Sequence, residues 1–169
     1  YAGRMLNFQL NRRSVAYHEI SKGFAIAPFE QDLHLEKIMK LHNAENMKVK
    51  RSRKEFEIYL NQPSNMCWFL TEGEKSAYLI LEGDCIIEHC GDFSLICQGI
   101  KYLLNNYENS SLSLQKKAIQ CPEMRELYKM SYRWRESCLG MIKIINLKEL
   151  LQAFNLPISE NPDDGITLK

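Results

Sequence analysis

The sequence lacks the marks of several large protein classes. None of its cysteines is spaced C-x-x-C, and no histidines stand in H-x-x-x-H or H-E-x-x-H relation, so zinc-ribbon and zincin chemistry have no foothold. No apolar run reaches the length of a membrane span, and no basic segment followed by an apolar one opens the chain. A cytoplasmic location is the expectation. An excess of one charge is missing too: 22 Lys and Arg stand against 21 Asp and Glu. A net charge of +1 gives no overall steering toward nucleic acid or a membrane surface. Internal repeats and low-complexity segments are also lacking.

What is there suits one globular domain with a real core: 169 residues, 45% hydrophobic and 25% charged. The six cysteines (Cys67, Cys85, Cys90, Cys97, Cys121 and Cys138) fall mostly inside apolar patterns and are expected as buried, reduced thiols. The first residue is Tyr1 rather than Met, which fits a piece of a longer polypeptide.

Periodicity orders the chain. SVAYHEI and GFAIAPF (14–20 and 23–29) read as a strand or bent strand pair. A helix comes next with Leu35, Ile38, Met39 and His42 on one face and Glu36 one turn before Lys40. Ser52 and Glu55 have capping-box spacing at the start of a second helix, which presents Phe56, Tyr59 and Leu60 and stops by Pro63. MCWFLTE, SAYLILE and CIIEHC, split by turns at Gly73 and Gly83, predict an antiparallel meander. Leu95, Ile96, Gly99, Ile100, Leu103 and Leu104 repeat at helical spacing. SLSLQKKAI alternates as a strand, and Pro122 opens a helix with Met124, Leu127, Tyr128 and Ser131 in its stripe. SCLGMIKII reads as a last strand, 147–154 as a last helix, and ISENPDDGITLK as a polar tail.

This order, an α/β (α+β) pattern of β-α-α-β-β-β-α-β-α-β-α, resembles over residues 14 to 145 the GNAT superfamily of acetyl-CoA-dependent N-acetyltransferases. RSRKEFEIYL is similar to the second helix of such domains, and CWFLTEGEKSAYLIL to their second and third strands. GMIKIINLKELLQAF resembles the end of the second domain in tandem acetyltransferases, and YAGRMLNFQL resembles the stretch just after a completed first domain. The resemblance implies a mostly antiparallel twisted sheet with helices on both faces. Residues 14–156 would form the domain and 157–169 a polar tail. Residues 1–13 would be the tail of a preceding domain or an extra edge strand. It also implies acetyl-CoA as the parent protein's cofactor, an amine as acceptor, and another GNAT domain in cis or a second copy as partner.

In such domains the turn from the fourth strand into the third helix, Q/R-x-x-G-x-G/A, wraps the cofactor diphosphate with backbone N–H groups. The corresponding stretch here is E-H-C-G-D-F. Gly91 is kept, but Glu88 and Phe93 replace the other two positions, and Asp92 sets a carboxylate where a helix N-cap would stand. The loop Gly91, Asp92, Phe93, Ser94 and Leu95 is therefore expected to be degenerate and to bind no acetyl-CoA. By the same resemblance Glu88 is the candidate general base and Tyr128 the candidate acid, if the domain is active. Tyr128 also reads as a plain core tyrosine. Glu88 is expected on one sheet face beside Ile86 and Cys90. The basic run KVKRSRK reads as a solvated loop. In the resembling family it walls the acceptor side, which makes Lys48, Lys50, Arg51 and Arg53 candidates for an acceptor or partner contact. YRWRES is a second basic and aromatic patch.

Overall fold

The computed structural model describes residues 4–45, 49–106, 111–117, 122–138, 158–161 and 165–168. A seven-stranded sheet runs through Arg4–Ser137, in the order β2-β3-β4-β5-β6-β1-β7. Its strands are β1 (Arg4–Asn11), β2 (Ala25–Pro28), β3 (Asn65–Glu72), β4 (Lys75–Glu82), β5 (Cys85–Gly91), β6 (Ser111–Lys117) and β7 (Arg133–Cys138). The helices are α1 (Gln31–Ala44), α2 (Arg53–Leu60), α3 (Phe93–Asn106) and α4 (Pro122–Met130). A separate antiparallel hairpin, β8 (Ile158–Asn161) with β9 (Gly165–Leu168), stands where a polar tail was expected.

Strand faces decide the layers. Trp68 and Leu70 of β3, with Ala77, Leu79 and Leu81 of β4, point into one core. There they meet Leu95, Ile96, Ile100, Leu103 and Leu104 of α3 and Met124, Leu127 and Met130 of α4. Cys67, Phe69, Tyr78 and Ile80 alternate to the other face and pack under Leu35 and Ile38 of α1 and Phe56 and Leu60 of α2. Strands covered on both faces read as nearly unbroken apolar runs, as SAYLILE does. Each fully buried Leu, Ile or Phe contributes roughly 1.5–3 kcal/mol relative to exposure.

At the N-terminus the chain already belongs to the sheet. Arg4–Asn11 is hydrogen-bonded inside the sheet, antiparallel to β6 and adjacent to β7. Leu6, Phe8 and Leu10 go to the α3/α4 core. SVAYHEI forms turns instead of a strand. Asn11 Oδ1 accepts the Ser14 N–H and Ser14 Oγ accepts the Asn11 N–H, a reciprocal lock that bends the chain after β1. Val15 then plugs the core while Tyr17 stays exposed. Most of YRWRES lies in β7, which ends at Cys138, and the strand read at SCLGMIKII beyond that residue and the helix read at 147–154 lie outside the described residues.

β5 carries a bulge. It pairs with β4 as Ile80↔Glu88 and then Leu81↔Ile86, leaving Ile87 without a register partner on β4. One extra residue reverses the faces. Ile86 therefore lies in the α3/α4 core, while Cys90 lies under α1 and α2. On its other side β5 runs parallel to β6 through Cys85↔Ser113 and Ile86↔Leu114, the pairs nearest its start. β4 holds β5 for longer, to Ala77↔Gly91, and the Asp92 N–H then donates to the Ser76 carbonyl at 3.1 Å.

Gly91 is the residue this geometry requires. Its φ is +101°, and an added β-carbon would stand 2.7 Å from Ala77 Cα and collide with the Ser76 carbonyl oxygen. Gly91→Ala is expected to cost about 3 kcal/mol or more in urea unfolding. Gly73→Ala and Gly83→Ala, at φ +59° in open space, should cost about 1–2 kcal/mol.

Candidate functional site

The turn out of β5 is closed by its own side chain. Asp92 Oδ1 accepts the Leu95 N–H at 3.2 Å, an N-cap on α3, and Asp92 Oδ2 lies 3.3 Å from Lys75 Nζ. The Ile96 N–H turns to the Asp92 carbonyl at 3.2 Å as the first helical turn begins. Phe93 and Ser94 open that turn, and Leu95 is fully buried. The five residues of the predicted loop thus form one strand end and one capped helix start.

Glu88 stands on the opposite layer from Ile86, in a cluster built by α1, α2 and β4. Tyr78 donates its hydroxyl hydrogen to Glu88 Oε1 at 2.7 Å. Arg51 Nη1 reaches Oε1 at 3.1 Å and Oε2 at 2.8 Å. The two charged side chains are 17% and 14% exposed. The Arg51 guanidinium also lies over the Tyr59 ring, 4.1 Å from its centroid, and 5.6 Å from that of Phe56. His42 Nε2 faces the Val49 carbonyl at 2.8 Å and so carries a hydrogen; its Nδ1 lies 3.1 Å from the Tyr78 oxygen and 3.3 Å from Glu88 Oε1. Burial, then the Glu88 charge, raises the Tyr78 phenol well above its ordinary value and pushes Tyr59 up to about 12. Both phenols remain neutral donors toward the carboxylate.

The basic run therefore splits. Lys50 is exposed, whereas Arg51 is turned inward as the counter-ion of Glu88, and Lys48 lies outside the described residues. Arg53 pairs with Glu36 and Glu57 on the surface, which takes Glu36 from its expected partner Lys40. Sequence reasoning missed His42, Tyr59 and Tyr78 as partners of Glu88. The one signal was their apolar spacing, which placed His42 and Tyr59 on buried faces without saying what they meet.

Tyr128 does not join Glu88. It sits on α4 in the other layer, 41% exposed, with edge contacts to Phe8 and Trp134 at 5.3 Å each. Neither of its two readings fits fully, since it borders the core without being enclosed by it. Between α3 and α4 lies a groove of about 650 Å³, walled by Phe93, Ser94, Cys97 and Gln98 on one side and Glu123, Arg125 and Glu126 on the other, with His18 and Glu19 completing it. Of its three carboxylates, Glu123 pairs with Lys116 and Glu126 with Lys129. Burial pushes the Cys97 thiol up to about 12, so it is no thiolate nucleophile.

His89 marks the gap where β5 and β6 part. Burial, and next the Lys116 ammonium, push its imidazole down to about 4. Phe93 stands at 6.3 Å ring to ring, and Lys116 Nζ lies 4.7 Å from the Phe93 centroid while it also pairs with Glu123. The mouth of the gap is stoppered by a neutral imidazole, a phenyl ring and an ion pair.

No family model matches the sequence, and no curated protein matches it significantly. Solved structures do. The chain is similar to a conserved protein of unknown function from Staphylococcus epidermidis, with a TM-score of 0.59 and 8% identity over 79% of this chain and 60% of that one. It is also similar to a GCN5-related N-acetyltransferase from Kribbella flavida, with a TM-score of 0.54 and 6% identity over 80% of this chain and 36% of that one. The fold is of the GNAT type. At such identities the likeness carries the fold alone, and the chain spans less than two thirds of either neighbour.

Two outcomes test this reading of the GNAT sheet. Glu88→Ala or Arg51→Ala alone is expected to cost about 3 kcal/mol, because each strands a partly buried charge. The double variant should cost at least about 1 kcal/mol less than the sum of the singles in urea unfolding. His89 binds its proton more weakly folded than unfolded, so its contribution is present above pH 6.5 and lost as pH falls toward 4. Stability should fall by on the order of 3 kcal/mol across that window relative to a His89→Gln variant, measured by chemical unfolding at each pH.

Proposed function

We propose that this chain supplies a GNAT-fold domain to an N-acetyltransferase while binding no acetyl-CoA itself, and that it acts by packing, pocket shaping or dimerisation. One observation carries the reading: the Asp92 carboxylate takes the N-terminus of α3 and leans on Lys75, in the place where the fold would offer backbone N–H groups to a diphosphate. A carboxylate about 4 Å from a phosphate charge costs on the order of 4 kcal/mol at an effective dielectric near 20. Even a third of that is about a tenfold loss in affinity.

The surroundings agree. In the groove beside α3, Glu123 pairs with Lys116 and Glu126 with Lys129, so the charges there are largely matched within the chain and offer no cluster of free cations to a phosphate. The residues present do not fit acetyl-CoA. Nor are the candidate catalytic groups free to act. Glu88 has both carboxylate oxygens held by Arg51 and one also by Tyr78, and Tyr128 is on the other layer of the sheet. A carboxylate held in this way by a guanidinium is a weakened base toward an incoming amine.

Calorimetric titration of the chain with acetyl-CoA is expected to give no saturable heat up to millimolar ligand. Asp92→Asn combined with Phe93→Gly should bring binding up by tenfold or more if the junction is the obstacle. Micromolar binding by the unaltered chain would overturn the proposal.

A further inference from the structure

The half of the sheet formed by β6, β1 and β7 presents a face of a different kind. α1 packs on β4 and β5, and α2 on β3. Along β1, Met5, Asn7, Gln9 and Asn11 alternate away from the core, and Asn7 and Gln9 in the middle are half-buried between strands, with Gln115 and Ser113 of β6 as their register partners. These four central residues of the two strands are polar and uncharged. A strand face open to water ordinarily carries lysine and glutamate, so carboxamides held half-buried here offer fixed hydrogen-bonding groups.

On this face β7 adds two positive charges, its Glu136 alternating to the other side with Trp134. Arg133 and Arg135 alternate with Trp134, which turns to Tyr128 and α4. The two arginines instead line a pocket of about 270 Å³ with Asn7, Gln9 and Tyr132. Tyr132 is tied down through its backbone N–H, which donates to the Gln9 carbonyl at 3.0 Å. Within the floor, Gln9 Nε2 donates to Asn7 Oδ1 at 3.3 Å. That bond leaves the Asn7 amide hydrogens and Gln9 Oε1 for something else. The arginines of the other basic region behave differently: Arg51 holds Glu88 and Arg53 holds Glu36 and Glu57, while neither Arg133 nor Arg135 has an ion pair among the described residues.

We propose that Arg133 and Arg135, over the carboxamide floor of Asn7 and Gln9, form a binding site for a small organic oxyanion, a carboxylate or a phosphate monoester. Guanidinium forks match both groups with paired N–H···O bonds. The Asn7 amide adds a neutral donor, and Gln9 Oε1 accepts from an N–H beside the anion. The site lies across the sheet from the α3/α4 groove and does not depend on whether acetyl-CoA binds there.

The test is calorimetric titration of the chain at low ionic strength with inorganic phosphate and, separately, with N-acetylglycine. Saturable 1:1 binding of either probe is expected, weakened about tenfold or more in Arg133→Gln/Arg135→Gln and severalfold in Asn7→Ala. Phosphate binding alone assigns the site to phosphate esters, and N-acetylglycine binding alone assigns it to carboxylates. Lys50→Gln/Lys54→Gln removes the same charge from the other basic region and should leave binding unchanged. Binding of neither probe at millimolar concentration overturns the proposal, as does equal weakening by the two double variants. Unaltered circular dichroism of the arginine variant keeps that comparison interpretable, since both side chains are exposed.

Discussion

Strands β5 and β6 run parallel through Cys85↔Ser113 and Ile86↔Leu114 and then part, while β4 keeps its hold on β5 as far as Gly91. A strand held on one side leaves the sheet on the other, and the bulge at Ile87 supplies the twist that lets it go. The arrangement of the centre results from this. The bulge sends Ile86 into the α3/α4 core and Glu88 to the α1/α2 side. His89 is left facing the gap, and α3 starts at Phe93 across from Lys116. The chain's own groups occupy the rim of that gap.

Charge placement decides what that rim can do. On the α3 side the carboxylates are matched within the chain, Asp92 on the helix start with Lys75, Glu123 with Lys116 and Glu126 with Lys129. Positive groups with no ion pair among the described residues collect on β7. On the α1/α2 side Glu88 and Arg51 neutralise one another beneath two neutral phenols. A fold shared with an acetyltransferase does not carry that enzyme's activity with it, because function rests on the site and not on the scaffold. The proposed role as a cofactor-free domain rests on the Asp92 carboxylate at the start of α3.

What the sequence made legible was local. Ser52 and Glu55 form both halves of a capping box at α2, and the stripe Leu95, Ile96, Gly99, Ile100, Leu103 and Leu104 is buried throughout. Gly73 and Gly83 turn the meander with positive φ. Asp92 was readable as a cap because a carboxylate three residues before a backbone N–H is a short-range signal. The misses involve choices made at longer range. Alternation in SVAYHEI suggested a strand, but the Asn11 and Ser14 side chains bend that segment through hydrogen bonds that periodicity does not see. No glycine or proline marks the bulge at Ile87, so Glu88 was placed beside Ile86 when one inserted residue separates their faces. Arg51 looked like one more cation in a solvated run until β5 brought Glu88 beneath it.

Nitrogen–proton correlation spectra of the chain, recorded as acetyl-CoA is added to millimolar concentration, test the central claim most directly. They report on the Gly91, Asp92, Phe93, Ser94 and Leu95 amides one by one. If Asp92 holds the start of α3, the Leu95 amide keeps its shift throughout and its four neighbours do not move. Saturable shifts of these amides at micromolar ligand would contradict the account and make the junction a working diphosphate site.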